Sequence, residues 1–195
     1  MNIRARLLTA FSTILLFVLA LGAINYVTLT DIEKDITQLN TRELALMKNY
    51  DNVNDAQANN LAAARGYMLT QDEAYLKELE IFTNYQHREI ERVLLHEQSE
   101  EVAAVFAELF ALDDYLEDEV INYFENGFRN EAMENMTQVF NPSVDALRTD
   151  LKERAENQSL NARQYIHNAQ DRIDSTQTIT SIVIAVAVFV SFYAA

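Results

Sequence analysis

Two long uncharged stretches bracket this chain, Leu7 to Thr30 and Ser175 to Ala195, and all thirty acidic residues lie between them. The stretches hold 24 and 21 residues, and about 20 helical residues at 1.5 Å rise cross a bilayer core of about 30 Å. A chain divided in this way is expected to fold as two membrane helices holding one water-facing domain. A cleaved signal peptide is the alternative for the first stretch, because Arg4 and Arg6 precede it and Ala20-Leu21-Gly22 has the small residues of a weak cleavage site. Signal-peptide apolar cores run to about 7–15 residues, so the length of this one favours an uncleaved anchor.

Arg4 and Arg6 are the only charges before the first span. By the positive-inside rule they place residues 1–6 in the cytoplasm, residues 7–30 in the membrane, residues 31–174 outside, and residues 175–195 in the membrane again. The outer segment carries 30 acidic against 13 basic residues. Such a surface repels phosphate, so a nucleic-acid partner is not expected. Without cysteine the chain has neither disulfides nor thiolate metal ligands. The second span reaches the inner face near Ala195 without the basic residues that usually come next, so a cytoplasmic output region is expected beyond it.

Three glycines and one proline in 195 residues leave almost no punctuation for sheets. Thr70 and Glu73 have capping-box spacing, Ser99 precedes two glutamates as an N-cap, and Asn126-Gly127-Phe128 reads as a helix stop. Pro142 either kinks the last helix or begins it. Four helices result, roughly 31–69, 71–97, 99–126 and 129–174, each with an apolar stripe at three-and-four spacing. The third is clearest, with Val102, Phe106, Leu109, Leu112, Leu116, Val120 and Tyr123. The outer two helices are the long ones, continuous with the anchors, and the shorter inner pair forms a hairpin against them. The expected fold is therefore all-α, an antiparallel four-helix bundle flanked by two transmembrane helices. Glu43, Gln57 and Gln158 interrupt stripe positions, which suggests a hydrated stretch or a face committed to a partner subunit.

The opening Met1-Asn2-Ile3-Arg4-Ala5-Arg6-Leu7-Leu8-Thr9-Ala10-Phe11 resembles that of bacterial methyl-accepting chemotaxis receptors. The segment from Ala64 to Leu76, with Arg65-Gly66-Tyr67-Met68-Leu69-Thr70 at its centre, resembles the first turn of their four-helix-bundle sensor domains. The same module precedes histidine kinases and diguanylate cyclases, so the resemblance specifies a sensory receptor more closely than its output. It implies an inner-membrane homodimer whose small-molecule ligand, or ligand-loaded periplasmic binding protein, meets the distal part of the bundle. Binding would shift the last helix relative to the first, and the shift would pass through the second span.

The family's amino-acid sensors hold a ligand carboxylate with arginines near this turn, which marks Arg65 as the candidate, since a guanidinium grips a carboxylate with paired hydrogen bonds. Asn59, Asn60 and Asn141 are its expected polar helpers, with Asn141 brought near by the antiparallel return of the last helix. The alternative is that Arg65 pairs with Asp72 or Glu73 and fixes the turn. A second candidate is the acidic run Asp113, Asp114, Glu117, Asp118, Glu119 and Glu125, which either attracts cations or forms a solvated surface. His87, His96 and His167 lack metal-ligand spacing and read as surface or packing residues. No nucleophile beside a base, phosphate loop or metal motif occurs, so neither enzymatic activity nor a cofactor is expected. A structural helical anchor without a sensing role is the remaining reading.

Overall fold

The computed structural model describes residues 3–194. They are helical apart from three short turns, and no strand occurs among them. The first helical run comprises α1 (Ile3–Gln38), a π-helical segment (Leu39–Glu43) and α2 (Leu44–Thr70). The next is α3 (Glu73–His96). The third comprises α4 (Glu100–Tyr115), a π-helical segment (Leu116–Ile121) and α5 (Asn122–Glu125). The last comprises α6 (Arg129–Glu134), a π-helical segment (Asn135–Phe140) and α7 (Asn141–Ala194). These four runs, counted among the described residues, are the four that the stripe pattern predicts.

The turns obey local chemistry. At the first, Asp72 accepts from the Ala74 N–H at 2.9 Å and caps α3. The Thr70 hydroxyl instead donates back to the Gly66 carbonyl at 2.8 Å, so the expected Thr70–Glu73 capping box does not form. The chain reverses through Gln71, held in the left-handed region at φ 59°. Ser99 caps α4 as expected, accepting from the Val102 N–H at 3.1 Å. At the third turn Gly127 takes φ 90°. The N–H groups of Phe128 and Gly127 close onto the Tyr123 and Phe124 carbonyls at 2.9 and 3.3 Å, the paired bonds of a Schellman stop.

The π-helical segments account for two local features. The Asn122 N–H bonds the Glu117 carbonyl five residues back, and this wider turn rotates the helical residues after it. Phe124 is therefore buried and Tyr123 is 38% exposed, the reverse of the expected end of the third stripe. The Glu119 carbonyl accepts from the Asn135 amide at 2.8 Å, which ties the 116–121 and 135–140 segments together. The second feature concerns Pro142, which lacks an N–H and crowds the preceding turn. It comes directly after the wide turn 135–140, so the helix passes it without a break.

The chain divides into two compact units, one from residues 42–160 and one from the described residues on either side. In the first unit α2, α3, α4 with α5, and the start of α7 enclose one apolar core. Tyr50, Val53, Ile90, Val93, Phe106, Leu109, Phe140, Val144 and Leu151 are all at most 1% exposed there. The Tyr50 and Phe106 rings stack at 6.2 Å between centroids. Full burial of each such side chain contributes about 1.5–3 kcal/mol. In the other unit most apolar side chains of the uncharged stretches face outward, among them Leu8, Phe11, Leu16, Leu19, Ile182 and Phe189. Two helical runs, Phe11–Thr70 and Arg129–Val190, contain stretches long and apolar enough to cross a membrane.

Candidate functional site

The register of the first unit is set by side-chain contacts between its helices. Arg148 Nε on α7 donates to Asn54 Oδ1 on α2 at 3.1 Å. Arg154 on α7 meets Glu101 on α4 at 2.7 Å and Asp150 at 2.8 Å. Near the same level Tyr50 donates its hydroxyl proton to Glu97 at 2.8 Å. The last run is antiparallel to α2 and to α4, so equal steps from each contact find residues at one height. Stepping from Arg148 back to Asn141 and from Asn54 up to Leu61 moves about 10 Å on both helices. Stepping from Arg154 back to Asn141 and from Glu101 up to Asp113 moves about 18–20 Å on both.

Both registers therefore place Asn141 level with Asn60 and Asp113. α3 joins them directly, because Gln86 accepts from the Asn60 amide at 2.8 Å and donates to Asp113 Oδ2 at 3.4 Å. Each helical run thus places one polar residue at this height: Asn60, Gln86, Asp113 and the half-buried Asn141. Gln57 lies one turn below Asn60 on the same face. Gln57, Asn60 and Gln86 are each 0% exposed, and the Asp113 side chain is 9% exposed.

At the rim of this layer His87 Nε2 lies 3.0 Å from Asp113 Oδ2. The ionised carboxylate only accepts, so the bond requires the His87 proton on Nε2. The His87 ring also meets Phe110 edge-on at 4.7 Å. Burial raises the Asp113 carboxyl from 3.8 to about 6; His87 opposes the shift and Asp114 adds to it. Nearby Glu89, 1% exposed, accepts from the Asn52 amide at 2.9 Å and pairs with Arg92.

The residues expected from the sequence fall in three different surroundings. Asn60 is buried and bonded to Gln86, and Asn141 lies at the same height on α7. Arg65 is exposed on α2 and has no hydrogen bond or ion pair among the described residues, to Asp72 and Glu73 or otherwise. Asn59 faces outward into a shallow groove between α2 and α3, lined also by Ala62, Ala63, Tyr75, Glu78 and Phe82. Of the acidic run, Glu117, Asp118, Glu119 and Glu125 do not share the burial of Asp113, and Glu125 accepts from Tyr67 at 2.8 Å. Asp113 is withdrawn into the core, so it is not part of a solvated acidic surface. Sequence reasoning does not mark Gln86 or the His87–Asp113 pair as a site. Their one signal is a gap in the second stripe, where Gln86 lies midway between Phe82 and Ile90.

In the other unit, polar contacts join the two helical segments. Arg172 bonds Asp31 at 2.9 Å and reaches Asp35 at 3.6 Å. The Thr176 hydroxyl donates to that of Thr28 at 3.1 Å. Farther along, Ile14, Phe17, Val18 and Leu21 face Ile184, Ala187 and Val188 across an apolar groove.

An all-helical bundle whose sequence is flanked on each side by an apolar helical segment is the architecture of a membrane-tethered helical module. Residues 1–173 match the family described as the four helix bundle sensory module for signal transduction, and the chain belongs to that family. No curated protein and no solved structure matches the chain.

Proposed function

We propose that the chain is the ligand-sensing and transmembrane-signalling part of a bacterial methyl-accepting chemotaxis receptor. It sits in the inner membrane as a homodimer, with the bundle outside the cytoplasm. A small molecule, or a periplasmic binding protein loaded with one, meets the bundle and displaces the last helix relative to the first. The displacement passes through the second span to a cytoplasmic output region, and the sensing part itself performs no catalysis.

One observation supports this reading above the others. The sensory-module match covers residues 1–173, and apolar helical segments suited to a bilayer stand at both ends of the covered region. A bundle held by two anchors can transmit a shift between them, because packed helices slide as units. A purely structural anchor has no need of the second crossing.

The test is a chimera in which residues 1–195 precede the kinase-controlling cytoplasmic part of a known chemotaxis receptor, in cells lacking their own receptors. Kinase activity is followed against amino acids, organic acids, polyamines and divalent salts, with and without periplasmic extract. The proposal expects activity that changes with at least one addition. Activity unaffected by every addition would favour the structural anchor.

A further inference from the structure

The polar layer holds a chain of hydrogen bonds whose direction is fixed by its acidic end. A carboxylate only accepts, so Gln86 turns its amide nitrogen towards Asp113 Oδ2 and its oxygen towards the Asn60 amide. That leaves Asn60 Oδ1 buried with no donor. Asp113 Oδ1, Asn141 Oδ1 and both amide atoms of Gln57 are likewise buried without a partner. Leaving such a group unsatisfied costs about 1–3 kcal/mol, and more when the group is charged. Natural cores rarely keep several together.

The imbalance is directional. Four acceptors, the oxygens of Gln57, Asn60, Asp113 and Asn141, stand against one donor, Gln57 Nε2. A guest that brings its own acceptors, such as an anion, has almost nothing to bond. A guest that is positive and needs only oxygen is matched by three amide oxygens and one carboxylate. Calcium sites collect 6–8 oxygens, usually with more than one carboxylate. A single carboxylate balances a single positive charge, and a buried charge of either sign requires such pairing.

We propose that the layer formed by Asn60, Gln86, Asp113 and Asn141 is an internal binding site for a small monovalent cation of the sodium class. Asp113 Oδ1 and the amide oxygens of Gln57, Asn60 and Asn141 hold the ion, and water completes its shell. Gln86 and His87 hold the other carboxylate oxygen and so orient Asp113. The ion joins α2, α4 and α7 directly and α3 through Gln86, at one level of the bundle. This site is distinct from the exposed acidic residues farther along the third run, and it does not depend on the signalling role proposed above.

The test is thermal unfolding of the full chain in lipid nanodiscs, in equimolar sodium chloride and choline chloride at neutral pH. Ionic strength is the same in both, so screening of surface charge cancels, whereas an ion bound only by the folded state raises the melting temperature. The expected result is a melting point higher by about 2–8 °C in sodium. Asp113→Asn and Asn141→Ala should each abolish the sodium-minus-choline difference, whatever they do to the melting point itself. Glu117→Gln with Asp118→Asn should keep it. Equal melting points in the two salts for the unaltered chain would overturn the proposal, as would a difference that survives Asp113→Asn. Both readouts are independent of signalling, so their failure leaves the chimera experiment to stand or fall alone.

Discussion

His87 on α3 and Asp113 on α4 meet at 3.0 Å, with the carboxylate side chain 9% exposed and the imidazole 38% exposed. The pair joins a buried acid to a group at the surface. Burial raises Asp113 from 3.8 to about 6, with His87 opposing and Asp114 adding to the rise. An acid raised in the folded state holds its proton more tightly there than in the unfolded chain. Its contribution to stability is complete below pH 3.8 and is lost as pH rises through about 6. In sodium-free buffer the unaltered chain should therefore lose about 2–3 kcal/mol relative to Asp113→Asn across that interval. Paired chemical denaturation of the two proteins at a series of pH values measures the difference. A constant gap between them would contradict the assignment.

Gly66 lies on α2 where the Tyr75 ring crosses it, and a Cβ built there would stand 2.6 Å from two ring carbons. Alanine gains about 1 kcal/mol of helix propensity over glycine, but overpacking costs about 1–3 kcal/mol. Gly66→Ala should therefore destabilise by up to about 2 kcal/mol in the native background. With Tyr75 already changed to alanine, the same substitution should stabilise by about 0.5–1 kcal/mol. The reversal of sign, measured by thermal or urea unfolding, identifies the ring contact as the cause.

The capping residues separate in the same way. Ser99 and Asp72 accept from the first-turn N–H groups of α4 and α3, whereas Thr70 bonds backward to Gly66. Ser99→Ala and Asp72→Ala should each cost about 1 kcal/mol. Thr70→Ala should cost less than about 0.5 kcal/mol, as at other exposed sites. Equal losses at Thr70 and Asp72 would restore the capping box expected from the sequence.

Arg65 is exposed and makes no ion pair among the described residues. Arg65→Ala should therefore change stability by less than about 0.5 kcal/mol. If a carboxylate compound raises the melting point of the unaltered chain through this side chain, the rise should disappear in the variant. A large loss of stability in Arg65→Ala without any ligand would show that the arginine fixes the turn.

The helix count and the three turn positions are legible in the sequence because so few residues interrupt it, and Ser99 and Gly127 mark their ends in the expected way. The register is not legible. It rests on long polar side chains such as Arg148 and Arg154, whose partners lie on other helices and leave no local pattern. The π-helical segments are also hidden, because one added residue per turn changes no composition and shows only as Phe124 taking the place of Tyr123. Gln57 is visible as a break in a stripe, and the antiparallel return of the last helix puts Asn141 at the height of Asn60. Asp113 reads with the acidic run because a carboxylate beside Leu112 looks like surface until the helix that covers it is known. Arg65 shows the limit of reasoning from the turn alone, since it is exposed while Asn60 is fully buried.

The central claim is that stimulus moves one membrane-proximal helical segment against the other. The contact between Thr28 and Thr176, 3.1 Å between hydroxyls, offers a direct reporter in a chain that has no cysteine of its own. The measurement is the rate of disulfide formation in Thr28→Cys/Thr176→Cys, in membrane vesicles, with and without a compound that raises the melting point of the full chain. The account predicts that the compound changes this rate, because a piston or tilt alters the separation of the two positions. An unchanged rate with the compound bound would contradict displacement as the signal.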